Sequence, residues 1–223
     1  MTLSETLALL ESVGDHRGRA YWAQRPIPGY TTFGAGLTNI RKVAKKVPKS
    51  HELAEELWKT MNYDALLLAI LIDDPKQLVR ADVEHRIANV PMLVAVPHYC
   101  NELVARHPDA QQWANEWMAS PNEALQTAGW YTLGGLAAND KKRPDAFFLP
   151  YIQQVQDTLQ TQPNWTREAM NGLLYYAGRR SPALAKRCIE AAKAIGPIHV
   201  DYGDNSCRPI DIPKNLARYA AKG

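Results

Sequence analysis

The apolar positions of this chain recur with the helical period and almost never with the strand period. Ile40, Val43, Ala44 and Val47 fall at i, i+3, i+4 and i+7, and Arg41, Lys42, Lys45 and Lys46 fill the opposite side. That stripe predicts an amphipathic helix with Thr38 before it and Pro48 ending it. Ser50 stands as the cap of a helix over His51 to Thr60, where Glu52 and Glu55 complement the dipole and Leu53, Leu57 and Trp58 form the buried stripe. Ala65 to Ile72 is apolar all round and so predicts a core helix, opened by Asp64. Asp73-Asp74-Pro75 breaks it and starts the next, because proline suits a first helical position. Ser4 is expected to cap a first helix carrying Leu7 and Leu10.

Further helices are expected over Val90 to Arg106, Asp109 to Ala119, Asn122 to Ala138, Pro144 to Gln160, Thr166 to Ala177 and Pro182 to Ile195. Only Ile198 to Val200 suggests a strand, and so short a run builds no sheet. The fold class is therefore all-α, in one domain spanning 1–223. Helix pairs spaced by roughly 40 residues suit a HEAT-like, ARM-type repeat superhelix, an α-α solenoid, although no strict sequence repeat is visible. Gln24 to Gly36 and Asp201 to Pro213 hold the prolines and glycines of turn-rich loops.

Composition narrows the class. The chain has 223 residues, 46% of them apolar, enough for a real core. No apolar run approaches the ~20 residues of a membrane span. Met1 to Leu10 lacks the basic residues of a leader, so the expected location is cytoplasmic. Cys100, Cys188 and Cys207 are an odd, sparse set that suits reduced thiols. His98-x-Cys100 is the one close His/Cys pair, and zinc needs three or four convergent ligands, so no metal and no cofactor are expected. Trp113 and Trp117 share a helix face at i, i+4 and read, with Trp58 and Trp130, as core.

Charge is uneven. Residues 1–110 carry 13 Lys/Arg and 13 Asp/Glu, whereas 141–223 carry 13 and 7, a net +6. Lys141-Lys142-Arg143 and Arg179-Arg180 lie at helix boundaries, where a loop presents cations to phosphate, and Lys42, Lys45 and Lys46 form a third set.

Four stretches resemble the AlkD-like DNA alkylation repair family of HEAT-like repeat proteins. They are Phe33-Gly34-Ala35 with Leu37 to Lys46; His51 to Leu78, the most specific; Ala169 through Arg180 to Leu184; and Ile195 through Arg208. The resemblance implies a repeat superhelix whose basic inner face holds duplex DNA. In catalytic members an Asp stabilises the cation-like transition state of base excision beside a Trp-rich cleft. Placed on Cys100, the family's Trp and Asp fall on Leu93 and Pro97, and no carboxylate lies between Ile87 and Tyr99. A second family segment bearing Trp and Arg falls on Gly172 to Tyr175, and a further Arg on Gln126 or Thr127. The expected cleft is thus lined by Leu93, Pro97, His98, Gly172 and Tyr175, with Asp82, Glu84 or His98 as the only candidates for a relocated catalytic group.

The resulting expectation is a monomer that binds duplex DNA through its backbone without reading sequence, using Lys42, Lys45, Lys46, Lys141, Lys142, Arg143, Arg179 and Arg180. Excision of 3-methyladenine or 7-methylguanine is not supported by the aligned residues. The alternative is a HEAT-like protein-interaction scaffold. Clustered cations favour the first, dispersed ones the second.

Overall fold

The computed structural model describes residues 1–90, 95–204 and 206–221. Its first helix, α1 (Leu3–Ser12), begins at a capping box: Glu5 N donates to Thr2 Oγ1 at 3.2 Å and Thr2 N donates to Glu5 Oε2 at 2.8 Å. The cap is Thr2 and not Ser4, because the box needs a glutamate three residues on and only Thr2 has one. Helix α2 (His16–Gln24), capped by Asp15 through Gly18 N at 2.7 Å, was not legible, since arginines and Gly18 interrupt its apolar spacing. Then come α3 (Gly36–Ala44), α4 (His51–Lys59) and α5 (Tyr63–Ile72). Ser50 caps α4 as expected, accepting from Leu53 N at 3.1 Å. The cap of α5 is Asn62, which accepts from Ala65 N at 3.0 Å.

Asp64, expected to open α5, instead turns its buried carboxylate to the loop before α3. It accepts from Thr32 Oγ1 and Phe33 N, both at 2.6 Å, and from Gly34 N at 3.1 Å. A parallel bridge between Thr31 and Asn62 fixes the same loop from the other side. Gly34 has φ +73°, and a Cβ there would lie 2.4 Å from Arg19 N; one on Gly18 would lie 2.1 Å from Gly34 O. Two bare backbones therefore meet where α2 crosses the loop. Residues Met1–Val79 form one compact unit, and Arg80–Gly223 a second.

The second unit opens with a helix not read as a separate element, α6 (Arg80–Asn89), for Pro75 starts only the short 3₁₀ turn Pro75–Gln77. The helix expected over Val90 to Arg106 is, in the described residues, α7 (Val96–His98) running into a π-helical turn, Tyr99–Leu103, and a 3₁₀ turn, Val104–Arg106. There follow α8 (Ala110–Met118), the central α9 (Glu123–Asn139), α10 (Leu149–Thr158), α11 (Asn164–Gly178), α12 (Pro182–Ile195) and α13 (Ile212–Ala220). Ile198 to Val200 forms no strand. Helix α13 begins inside the expected loop, because Asp211 caps it through Lys214 N at 3.0 Å and Pro213 suits its first turn.

Helix α9 packs against α8 and α11, and Trp117 on α8 and Trp130 on α9 are buried as expected. Trp117 Nε1 donates to Glu84 Oε1 at 2.7 Å. A Cβ on Gly135 would stand 2.4 Å from Ala105 Cβ, so glycine is what lets α9 close on the turn before α8. The repeat absent from the sequence appears in the spacing of long-range hydrogen bonds. Asn139 to Asn101 O spans 38 residues, Thr127 with Thr166 39, Asn171 to Ile210 O 39, and Arg179 to Tyr219 40. Equivalent turns of successive helix pairs meet at the period expected of HEAT-type units.

Candidate nucleic-acid interface

In the first unit the cations are presented outward. The apolar stripe of α3 buries Ile40 and Val43, with Val47 just beyond it, so Lys42, Lys45 and Lys46 are turned to solvent and exposed. None of these three lysines pairs with a carboxylate among the described residues. No Asp or Glu occurs between Asp15 and Glu52, while Arg17, Arg19, Arg25, Arg41, Lys42, Lys45, Lys46 and Lys49 do. A charge balance taken over 1–110 averages this acid-free stretch away, and only a shorter window reveals it.

In the second unit the two C-terminal sets meet, and two of their five cations, Arg143 and Arg180, are engaged internally. Arg180 is 5% exposed: Nε donates to Asp145 Oδ1 at 3.0 Å, Nη1 to the carbonyls of Ala137 and Asp140, and Nη2 to Arg143 O at 2.5 Å. Its guanidinium also lies 4.7 Å from the Phe148 ring centre. Those donors satisfy carbonyls at the end of α9 that the helix itself leaves unpaired. Arg143 donates to Asp140 Oδ2 at 3.1 Å and to Gln111 Oε1 at 2.5 Å, and lies over Phe147. Burial opposes the charged form of Asp140, yet the bonds and charge of Arg143 outweigh it and hold its pKa below the usual range. Lys141 and Lys142 are exposed. Arg179 is exposed too, steered by Tyr219 Oη at 3.2 Å and by the Tyr175 ring at 5.2 Å.

The expected cleft is only partly visible, since Leu93 lies outside the described residues. Pro97 is half-buried and its carbonyl accepts from Asn101 Nδ2 at 2.8 Å. His98 Nδ1 contacts Glu102 Oε1 at 2.8 Å, one turn on. Asp82 is exposed, and Glu84 is held by Trp117 and Arg80, so neither is an uncommitted carboxylate inside a cleft. At Gly172 an added Cβ would meet nothing within 4 Å, so space for a larger side chain exists and glycine leaves it unfilled. Tyr175 is half-buried against Tyr176, ring centres 5.5 Å apart.

One carboxylate on this helix face escaped the sequence reading. Glu168 lies one turn before Gly172, and its Oε2 accepts from Tyr202 Oη at 2.7 Å. Burial raises its pKa, with Tyr202 opposing. A lone glutamate in a helix ordinarily reads as solvated, so only the fold brings it to Tyr202, 34 residues on.

Cys100 and Cys188 are buried free thiols, each pushed up by burial to about 12. The group with metal-ligand spacing among the described residues is not His98-x-Cys100 but His51, Glu55 and Asp73, whose ligand atoms lie within 4.8 Å of one another. The closest of those approaches, His51 Nδ1 to Asp73 Oδ1 at 2.8 Å, is itself a hydrogen bond joining α4 to the end of α5.

Comparison with known proteins adds three findings. A family described as DNA alkylation repair enzyme matches residues 7–205. Uncharacterized proteins of Listeria innocua and Listeria monocytogenes are each 29% identical over 182 residues, covering 80% of this chain and 79% of theirs. A solved structure, described as a new family of proteins related to the HEAT-like repeat DNA glycosylases with affinity for branched DNA structures, superposes with a TM-score of 0.78. It is 26% identical, and the match covers 100% of this chain and 95% of that one. The fold is accordingly an all-α, HEAT-like helical repeat.

Proposed function

The chain belongs to the DNA alkylation repair enzyme family, and on that premise we propose that it binds DNA by its backbone, branched DNA in particular, without excising bases. The observation that carries this reading is the exposed, unpaired set Lys42, Lys45 and Lys46 within a stretch that holds no acid. Lys141, Lys142 and Arg179 are its outward cations in the second unit, while Arg143 and Arg180 act through the turn they brace rather than on phosphate. Affinity for branched DNA in the solved relative supports the choice of partner. The binding form is a monomer in the cytoplasm, where its thiols stay reduced.

Absence of excision follows from transition-state charge. Pro97 stands where the family pattern expects a carboxylate, and proline offers neither charge nor donor. Losing such a preorganised group costs on the order of 10²–10³ in rate. Glu168 is a weak substitute, because burial disfavours its ionised form. The deciding experiment titrates salt against binding to a paired duplex and to a four-way junction. Affinity should fall steeply with salt and be greater for the junction, with no base released from methylated duplex above an enzyme-free control. Salt-insensitive or absent binding would replace this reading with a protein-interaction scaffold.

A further inference from the structure

A hollow of about 260 Å³ lies wholly within the first unit, between α2 and the loop before α3, lined chiefly by Arg19, Trp22, Ala23, Ile27 and Tyr30. Drug-sized sites begin near ~300 Å³, so this one suits a single flat ring system. Its walls are preformed. The loop that supplies Thr31 and Thr32 is pinned by Asp64 and by the backbone pairing of Thr31 N to Met61 O at 2.9 Å and Tyr63 N to Thr31 O at 2.8 Å. Trp22 is braced edge-on by Tyr63, ring centres 5.1 Å apart, yet still lines the hollow. Burial raises the pKa of Tyr30, so its hydroxyl keeps its proton and can donate.

The rim is cationic. Arg19 lines the hollow and is exposed, and Arg25, next to the lining Pro26, is exposed and lies 4.7 Å from the ring of Tyr21, itself 50% exposed. The two acids nearby are both engaged, Asp15 in capping α2 and Asp64 in holding Thr32, Phe33 and Gly34 of the loop. Aromatic and apolar walls under an arginine rim match a base face attached to phosphates. A base inside a duplex offers no free face, so only an unstacked one enters.

We propose that this hollow holds an unpaired nucleobase, with Trp22 and Tyr30 gripping the ring and Arg19 and Arg25 the flanking phosphates. The inference rests on the DNA-binding reading and supplies a physical reason for preferring DNA that is not fully paired. Stacking of this kind changes affinity about five- to hundredfold per base.

The test uses the full chain with a forked duplex bearing 2-aminopurine in its unpaired arm, and the paired duplex of the same sequence. Ala23→Leu fills the hollow from an exposed helical position and removes no packing contact; Trp22→Ala, checked by its melting curve, opens the wall. Wild type should quench the unpaired 2-aminopurine, and Ala23→Leu should weaken forked binding fivefold or more while changing paired binding less than twofold. Forked binding unaffected by Ala23→Leu, with no quenching, would overturn the pocket while leaving DNA binding intact. No binding to either DNA would overturn both.

Discussion

The two units treat positive charge in opposite ways. In Met1–Val79 the acid-free stretch between Asp15 and Glu52 leaves Lys42, Lys45 and Lys46 exposed and without a carboxylate partner. In Arg80–Gly223, cations are interleaved with acids, and several arginines are spent on them. Arg80 binds Glu84 and Glu116, Arg143 binds Asp140, and Arg180 binds Asp145 with three carbonyls. Formal charge is therefore a poor guide to charge available to a ligand. An arginine whose donors are already satisfied must break those bonds before it reaches phosphate.

The largest effect should come from reversing Lys42, Lys45 and Lys46 together to Glu. Each lost phosphate contact removes about 0.9 from the salt slope, so DNA affinity at low salt should fall on the order of 10²–10³-fold. Fluorescence anisotropy across a salt series measures both quantities. Equal losses from this triple and from Lys141, Lys142 and Arg179 reversed together would erase the contrast between units.

Stability should show the reverse ordering. Arg180→Ala leaves three part-buried carbonyls without their charged donor, for a loss of about 2–4 kcal/mol, while Lys42→Ala should move stability by less than ~0.5 kcal/mol. Urea denaturation of each variant decides it, and a mild Arg180→Ala would return that residue to the pool of ligand contacts.

A pH series sharpens the contrast further. Asp140 has a depressed pKa, so its contribution is present above the usual carboxylate range and fades as pH falls through the folded value. Glu168 has a raised one, so its contribution is greatest at low pH and fades as pH rises through the folded value. Glu168→Gln should therefore gain stability relative to wild type as pH rises above about 4, and Asp140→Asn should gain relative to wild type only as pH falls below about 4. Parallel melting curves for the two variants would refute these opposite signs.

The smallest effect concerns two glycines of the second unit. Gly172→Ala enters open space within α11 and should stabilise by about 0.5–1 kcal/mol through helix propensity. Gly135→Ala meets Ala105 Cβ at 2.4 Å and the Asn101 backbone at 2.7 Å, and should destabilise by about 1–3 kcal/mol. Thermal melts of both variants test whether the space beside Gly172 is truly unfilled.

Helices whose signals are local were readable in advance: α4 with its Ser50 cap, α9, and α12 to its end residues. Helix α2 was missed because its apolar stripe is weak, and α13 because Pro213 and the turn-rich run before it read as loop. The candidate site was legible in part, through Lys42, Lys45 and Lys46, because one amphipathic stripe fixes which side of α3 faces water. By contrast, Arg180, Asp64 and Glu168 look like surface charges in the sequence, and each proves to be held by groups about 30–43 residues away.

What the chain's order of residues determined by itself is the all-α class, most helix boundaries and the exposed side of α3, all products of interactions within one or two turns. Which charges remain available to a ligand, which carboxylate is pushed towards its neutral form, and where a ring-sized hollow opens were decided only by tertiary structure. Those properties depend on desolvation and on hydrogen bonds closed between residues some 31–43 positions apart, contacts that no local periodicity encodes.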